Sequence, residues 1–154
     1  MNDIYLELLT TLNYLLKDIE KNWWYKNVEQ SIKKYNEHKD VNFFLETFSG
    51  RGFSDEPLQS RMTDIIMSLT YDIAFKFKKN EEYNFLELLF KKYDLYNNKL
   101  TYLQNLPPHF GQIESIERTK ESLAYIKYLI GNYKECNLLE ITQNYLIPNN
   151  VKKR

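Results

Sequence analysis

The chain has 154 residues, the size of one ordinary domain, and 43% of them are hydrophobic. Four glycines and four prolines are too few turn-formers for an all-β fold, and the composition also excludes disordered and collagen-like classes. Lys plus Arg equal Asp plus Glu at 21 each, so no net charge draws the protein to nucleic acid or to an acidic membrane surface. We predict an all-α, single-domain bundle of about six to eight amphipathic helices over residues 1–148, with a frayed basic tail at 149–154.

One cysteine and the first residues bear on the compartment. Cys136 is the only cysteine, so an intramolecular disulfide is impossible and a reducing compartment suits the chain. Residues 1–3 lack the basic segment of a secretory signal, and no apolar run approaches the ~18–20 residues that a membrane span needs. We therefore expect a cytoplasmic protein without a membrane partner.

The first part of the chain predicts two helices. Apolar side chains recur at three and four residues in the first, which is predicted over residues 3–21. A second helical spacing runs from Trp23 to Tyr35, and it either follows a kink or extends the first helix. Adjacent side chains on a helix point about 100° apart, so we expect one of Trp23 and Trp24 in the core and the other near the surface.

Two more helices are predicted before residue 80. Asp40 is a candidate N-cap for a short apolar helix that ends at Gly50. The next helix is predicted to start after Pro57, with Ser54 or Asp55 as its cap, because the residue before a proline disfavours the helical conformation. Its apolar positions have the clearest helical spacing in the chain: Met62, Ile65, Ile66, Leu69, Ile73 and Phe77.

In the second half of the chain, the sequence predicts a helix that starts at Asn80 and a further helical stretch over residues 99–106. The apolar face of the first of these is predicted at Leu86, Leu89, Phe90 and Tyr93. Two final helices are predicted at about 112–131 and 134–146, with Gly131 in the left-handed conformation of a helix C-cap between them.

Basic and aromatic residues alternate at 75–79 and at 90–93, a pattern that can bind nucleic acid. Lysine also complements the helix dipole near a helix C-terminus, and the aromatic rings there continue the apolar stripe. We therefore predict buried aromatic side chains in both stretches and no nucleic-acid partner.

Candidate catalytic residues are few. His38 and His109 are predicted turn histidines, and Cys136 is a predicted buried, inert thiol. The sequence contains no His-x3-His, Glu-x2-His or Cys-x2-Cys pair, so we predict no metal site. Gly50-x-Gly52 lacks the third glycine of a dinucleotide loop and the Gly-Lys-Ser/Thr ending of a P-loop. We predict a protein that is not an enzyme and that needs no cofactor.

A tryptophan at Trp23 or Trp24, followed by a Phe-x-Gly-x-Gly-Phe-x-Asp loop from Phe48 to Asp55, resembles a family of small helical bacterial proteins of unknown function. The resemblance covers residues 5–75, and members of that family commonly carry a Phe-Gly-Gly-Met-Gly-Ser loop at this place. By class, the chain also resembles immunity proteins of bacterial toxin systems, including contact-dependent growth inhibition. That resemblance implies a cognate toxin protein as the partner.

The leading hypothesis from the sequence is an immunity protein that neutralises a toxin domain by forming a stoichiometric complex. Aromatic and arginine side chains are common anchors of tight interfaces. We therefore predict that Arg51, Phe53, Asp55 and Glu56 in the glycine loop contact the partner.

The alternative is a helical adaptor or regulatory module, with a homodimer left open. The glycine turn at Gly131 resembles the hairpin turn of tetratricopeptide-type repeats. In this hypothesis a groove lined by Tyr125, Tyr128 and Tyr133 holds a peptide or a partner helix.

Overall fold

The computed structural model describes residues 3–17, 23–48, 60–133 and 137–152, the last six of these by backbone alone. These residues form seven α-helices and contain no strand, so the prediction of an all-α protein is confirmed. The helices are α1 (Ile4–Leu16), α2 (Trp23–His38), α3 (Asn42–Phe48), α4 (Arg61–Lys78), α5 (Phe85–Asn105), α6 (Gln112–Asn132) and α7 (Leu138–Lys152).

The chain divides into two compact units, Met1–Tyr83 and Asn84–Arg154. The first unit holds α1 to α4, and the second holds α5 to α7. The division into a domain at 1–148 and a frayed tail at 149–154 stays a prediction.

In the first unit, α1 and α2 are two separate helices that pack antiparallel. The ring of Tyr5 at the start of α1 lies 4.7 Å from that of Tyr35 near the end of α2. A continuous helix could not bring these rings together, so the alternative in which α2 extends α1 is wrong. Both α2 and α4 pack on α1, and the predicted stripe of α4 is buried except at Met62 and Phe77. The fully buried residues include Leu8, Leu9, Leu12, Leu16, Val28, Phe44, Ile65, Ile66, Leu69 and Ile73.

The two tryptophans differ in exposure at the start of α2. Trp23 is about half exposed, and its ring lies 4.4 Å from that of Trp24. Trp24 is half-buried, with its ring 5.7 Å from that of Phe48 in α3. The predicted contrast is therefore present, although neither indole is fully buried.

At the N-termini of three of the four helices in this unit, a side-chain oxygen accepts a hydrogen bond from a free backbone amide. An oxygen of Asp3 accepts a hydrogen bond from the Leu6 amide at the start of α1. Asp40 Oδ1 accepts from the Asn42 amide at 2.8 Å, so the carboxylate binds a free amide as predicted, but from outside the helix. The predicted cap of α4 is wrong, because Ser60, and not Ser54 or Asp55, accepts from the Thr63 amide.

Asn80 ends a helix instead of starting one. Its φ of 56° is left-handed, its amide donates to the Phe77 carbonyl, and the Glu81 amide donates to the Lys76 carbonyl. These two bonds form a Schellman motif at the C-terminus of α4, in which asparagine replaces the more common glycine. The predicted start at Asn80 is therefore wrong, and α5 begins after Asn84, whose side chain accepts from an amide in its first turn.

In the second unit, α5 is one helix of 21 residues, so the predicted separate stretch at 99–106 is its last part. Its buried face is displaced from the predicted one. The buried residues are Phe85, Leu88, Leu89 and Leu103, whereas the predicted face contains the exposed Phe90. The predictions of buried aromatic rings in 75–79 and 90–93 are also wrong, because Phe75, Phe77 and Phe90 are all more than a third exposed.

The two last helices also extend beyond their predicted ends. Gly131 lies inside α6 and has no left-handed φ, so its predicted role as a C-cap turn is wrong. The backbone of α7 is helical to Lys152, past residue 146, where the pattern predicted its end. Tyr125 of α6 and Thr142 of α7 join the two helices by a buried hydrogen bond of 2.7 Å.

Candidate functional site

A short, braced turn joins α5 to α6 and makes them a helical hairpin. Gln112, the first residue of α6, donates from Nε2 to the carbonyl oxygens of Leu103 at 2.8 Å and Leu106 at 3.1 Å. Its backbone amide donates to the His109 carbonyl, and Gly111 before it has a φ of 82°. A side chain at position 111 would be strained in this left-handed conformation, which explains glycine there. Hydrogen bonds from the first residue of α6 to carbonyl oxygens at the end of α5 thus hold the turn in place.

Four large apolar side chains of this hairpin face solvent. We call the surface formed by Leu95, Tyr102, Phe110 and Ile113 the hairpin surface. Leu95, Tyr102 and Ile113 are 60%, 64% and 78% exposed, and Phe110 is fully exposed. Single exposed apolar residues are common on proteins, but several on one supersecondary element are typical of an interaction site.

Helix geometry places Leu95 and Tyr102 on one side of α5, and it places Ile113 away from the buried face of α6. Leu95 and Tyr102 are seven residues apart, so they lie on nearly the same face of α5. Ile113 precedes the buried Ser122 by nine residues, which places it about 180° from the buried face of α6. The exposure of Ile113 therefore follows from the phase of the helix and is not a local accident of one rotamer.

The neighbouring side chains of α5 suit an interface with a protein. Asn98 is exposed three residues after Leu95 and four before Tyr102, so it lies on the same side of α5 as both. Tyrosine supplies a large contact area with few rotatable bonds, and asparagine supplies adaptable hydrogen bonds, which is the composition of many binding surfaces. The surface can bind a partner by apolar burial and polar pairing.

The sequence pointed to other residues for partner binding. Arg51, Phe53, Asp55 and Glu56 lie outside the residues that the structure describes, so their contact with a partner stays a prediction. The hairpin surface was missed. A usable signal was present in Phe110 and Ile113, because the first is an apolar residue within a turn that starts with two prolines and the second follows that turn directly.

The three tyrosines of the adaptor hypothesis do not share one surface. Tyr125 is buried and pairs with Thr142, and its ring lies 5.3 Å from that of Tyr145. Tyr128 is half-buried against the same Tyr145 ring, whereas Tyr133 lies 4.9 Å from the ring of Phe85. Their aromatic faces thus contribute to packing within the second unit.

Both histidines are exposed. His38 is the last residue of α2 and not a loop residue, and its Nε2 lies 3.9 Å from a carboxylate oxygen of Glu37. His109 lies in the turn before α6, as predicted, with Nδ1 3.0 Å from the Pro107 carbonyl oxygen. Cys136 lies outside the described residues. A carboxylate and a backbone carbonyl are not nucleophiles that a histidine base activates, so these contacts assign neither histidine a catalytic role.

An open cleft of about 590 Å³ in the first unit lies where the C-termini of α2 and α4 meet the start of α3. Its lining includes both non-glycine residues with a left-handed φ in the described chain, Lys39 and Asn80. The ammonium of Lys39 lies 4.6 Å from the centre of the Tyr35 ring and 3.9 Å from Asp3 Oδ2. These contacts hold Lys39 in its unusual conformation, and they fold the lysine back onto the protein.

A polar cluster next to this cleft joins the start of α1 to the end of α2. Tyr35 donates its hydroxyl hydrogen to Asp3 Oδ2 at 2.5 Å. Burial and the hydrogen bond to Asp3 raise the pKa of the Tyr35 phenol well above its usual range. Burial, with the nearby Tyr35, also raises the pKa of Tyr5, whose buried hydroxyl has no hydrogen-bond partner among the described residues. Because these phenols stay neutral, the Tyr35 hydroxyl keeps its proton and joins the end of α2 to the start of α1 through Asp3.

The described side chains form no metal site. Within residues 3–17, 23–48, 60–133 and 137–152, no group of three His, Cys, Asp or Glu side chains is placed to hold a metal ion. None of the helices in the described ranges combines the length and the apolar character that crossing a membrane requires.

Comparison of the chain with protein-family models, with curated proteins and with solved structures finds no match. What the chain can bind is therefore inferred from its surface chemistry.

Proposed function

We propose that this chain is a binding protein, and that it acts as an immunity protein that neutralises a cognate bacterial toxin domain in a stoichiometric complex. The observation that carries the proposal is the hairpin surface, whose four apolar side chains are each more than half exposed. Hydrophobic anchors surrounded by polar residues are the usual centre of a protein interface.

The braced turn supports this role physically. A surface that must be ordered on binding loses affinity to conformational entropy, whereas a rigid surface does not. The two hydrogen bonds from Gln112 hold the turn that carries Phe110, and α6 carries Ile113 in its first turn. Blocking a toxin needs little more than a rigid surface with strong anchors, so no catalytic residue is required of the chain.

Purification of the tagged protein from its native host tests the proposal. Mass spectrometry should identify one protein that co-elutes at near-equal stoichiometry. That protein is then expressed alone in growing bacteria, where it should arrest growth, and together with the chain, where growth should continue. A partner that leaves growth unchanged when expressed alone would exclude the immunity function.

Two variants test the contact surface in the same growth assay. Phe110→Ser with Ile113→Ser should abolish protection, because it removes two apolar anchors without touching the core. Phe90→Ser is the matched control, since Phe90 is 54% exposed on α5 but lies five residues, about 140°, from Leu95. Equal protection by both variants would remove the hairpin surface from the complex.

The glycine loop remains the second proposed contact. Replacement of Arg51, Phe53, Asp55 and Glu56 by alanine should weaken protection if these residues touch the toxin. Full protection by this quadruple variant would restrict the interface to other surfaces, whatever the outcome for Phe110 and Ile113.

A further inference from the structure

Two helix ends with a fixed backbone bound the open cleft of the first unit. Lys39 follows α2, and its amide donates to the Tyr35 carbonyl at 2.8 Å. Asn80 lies just beyond α4, and its amide donates to the Phe77 carbonyl at 3.1 Å. Lys39 and Asn80 both have a left-handed φ, and both line the cleft. Its volume of about 590 Å³ is typical of ligand clefts, and its walls are formed before any ligand arrives.

Most charged groups that line this cleft are already paired within the protein. The Lys39 ammonium lies 3.9 Å from Asp3 Oδ2, and Asp40 Oδ1 accepts a hydrogen bond from the Asn42 amide. The His38 imidazole lies 3.9 Å from a carboxylate of its own helix. A ligand with several charges would have to break these contacts, and the negative C-terminal ends of α2 and α4 would also repel a strongly charged anion. The lining therefore does not favour a phosphate group.

The lining groups available to a ligand are two amides, one ammonium and one aromatic ring. Within the part of the chain that the structure describes, the side chains of Asn42 and Asn80 form no hydrogen bond and Lys78 forms no ion pair. The fourth group is Phe77, which is 37% exposed. A primary amide donates and accepts hydrogen bonds at once, so it can pair with the N–H and C=O groups of a peptide main chain. One free ammonium suits one carboxylate, and one exposed ring suits one apolar side chain.

We infer that this cleft binds a short extended peptide that carries one apolar and one acidic side chain close together in sequence. Asn42 and Asn80 pair with the peptide main chain. Phe77 contacts the apolar side chain, and Lys78 faces the carboxylate. The inference goes beyond the toxin proposal, because the cleft shares no residue with either proposed toxin contact. Peptide binding can be measured on the purified chain alone, so its failure and the failure of the toxin proposal are separate results.

Selection from a library of random heptapeptides displayed on phage tests the inference. The wild-type chain should enrich peptides in which an apolar residue stands close to an Asp or a Glu. The most enriched peptide is then synthesised, and calorimetric titration gives its dissociation constant. A double variant, Asn42→Ala with Asn80→Gly, should bind this peptide about tenfold more weakly, because each lost amide removes at least one hydrogen bond. Glycine adopts the left-handed φ at position 80 without strain, so the turn is kept in this variant.

A charge exchange between protein and peptide tests the role of Lys78. Lys78→Glu should bind the acidic peptide about two- to fivefold more weakly, which is the size of effect expected for one exposed ion pair. The same variant should prefer a peptide in which lysine replaces the acidic residue. Lys79→Glu is the matched control, because Lys79 is the next residue and its ammonium lies 4.4 Å from the centre of the Phe75 ring. It changes the net charge equally and should leave both affinities unchanged.

Three results would overturn the inference. The wild-type chain could enrich no peptide, or it could enrich peptides that lack the apolar and acidic pair. The selected peptide could also bind the wild-type chain and the double variant with the same affinity, which would place it on another surface. Circular dichroism of every variant shows whether it is folded, so a loss of binding through unfolding is recognised.

Discussion

Two equally buried tyrosines, one in each unit, differ in whether their hydroxyl groups are paired. Tyr5 and Tyr125 are both 1% exposed. The hydroxyl of Tyr125 forms a 2.7 Å hydrogen bond with Thr142, whereas the hydroxyl of Tyr5 has no hydrogen-bond partner in the part of the chain that the structure describes. An unpaired buried polar group costs about 1–3 kcal/mol, and a typical hydrogen bond contributes about 0.5–1.5 kcal/mol. Replacement by phenylalanine should therefore change stability in opposite directions at the two sites.

We expect Tyr5→Phe to raise the free energy of unfolding of the first unit by about 1 kcal/mol, because the ring packing is kept and an unpaired hydroxyl is removed. Tyr125→Phe should lower that of the second unit by about 1 kcal/mol, because the Thr142 hydroxyl loses its partner. Urea unfolding separates the two effects. The only two tryptophans, Trp23 and Trp24, report on the first unit by fluorescence, and circular dichroism reports on all helices.

The sign of the Tyr5 result decides whether the reasoning is correct. A loss of stability in Tyr5→Phe comparable with that in Tyr125→Phe would refute it, since a hydroxyl that stabilises the fold must be hydrogen-bonded. Unchanged slopes of the unfolding curves would show that neither substitution alters the surface exposed on unfolding.

The caps, the buried phenols and the hairpin turn provide three further tests. Asn80→Gly should stabilise the first unit by about 0.5–1 kcal/mol in urea unfolding, because the φ at position 80 is left-handed. Asn84→Ala should destabilise α5 by about 1 kcal/mol through loss of its N-cap. Changes in stability of the same sign for both variants would contradict the roles of Asn80 as a C-terminal residue and Asn84 as an N-cap. The pKa values of Tyr5, Tyr35 and Tyr125 are raised, so unfolding in alkali releases their protons; the free energy of unfolding should be constant below the ordinary phenol pKa of about 10 and fall as pH rises above it, and absorbance titration should show these phenols ionising last. Gln112→Ala should lower the free energy of unfolding of the second unit by about 1–2 kcal/mol and speed amide hydrogen exchange in the turn, since two carbonyl oxygens lose their donor. An unchanged exchange rate would show that the turn does not need this side chain.

Helical periodicity predicted the buried faces of α1 and α4 because each of these helices has one clear apolar stripe. Leu8, Leu12 and Ile73 are buried as that spacing requires. In α5 the apolar residues occupy several faces, so the sequence does not show which face meets the other helices. Phe90 was assigned to the core for this reason, and it is exposed.

Cap residues were harder to predict because asparagine has two different uses at helix ends. Its short amide side chain suits an N-cap, and its tolerance of a left-handed φ suits the position after a helix C-terminus. Asn80 and Asn84 use one property each, and the local sequence does not say which. The exposure of Ile113 likewise depends on where the buried face of α6 lies, which is set by packing within the second unit.

The bracing of the α5–α6 turn has a kinetic consequence. A partner that meets Phe110 finds it on a turn already fixed by Gln112, so association need not wait for a loop to reorganise. Differences in affinity among partners of this surface should then arise mainly in their dissociation rates. In the proposed complex, Gln112 would thus favour fast association by keeping the turn in one conformation before the partner arrives.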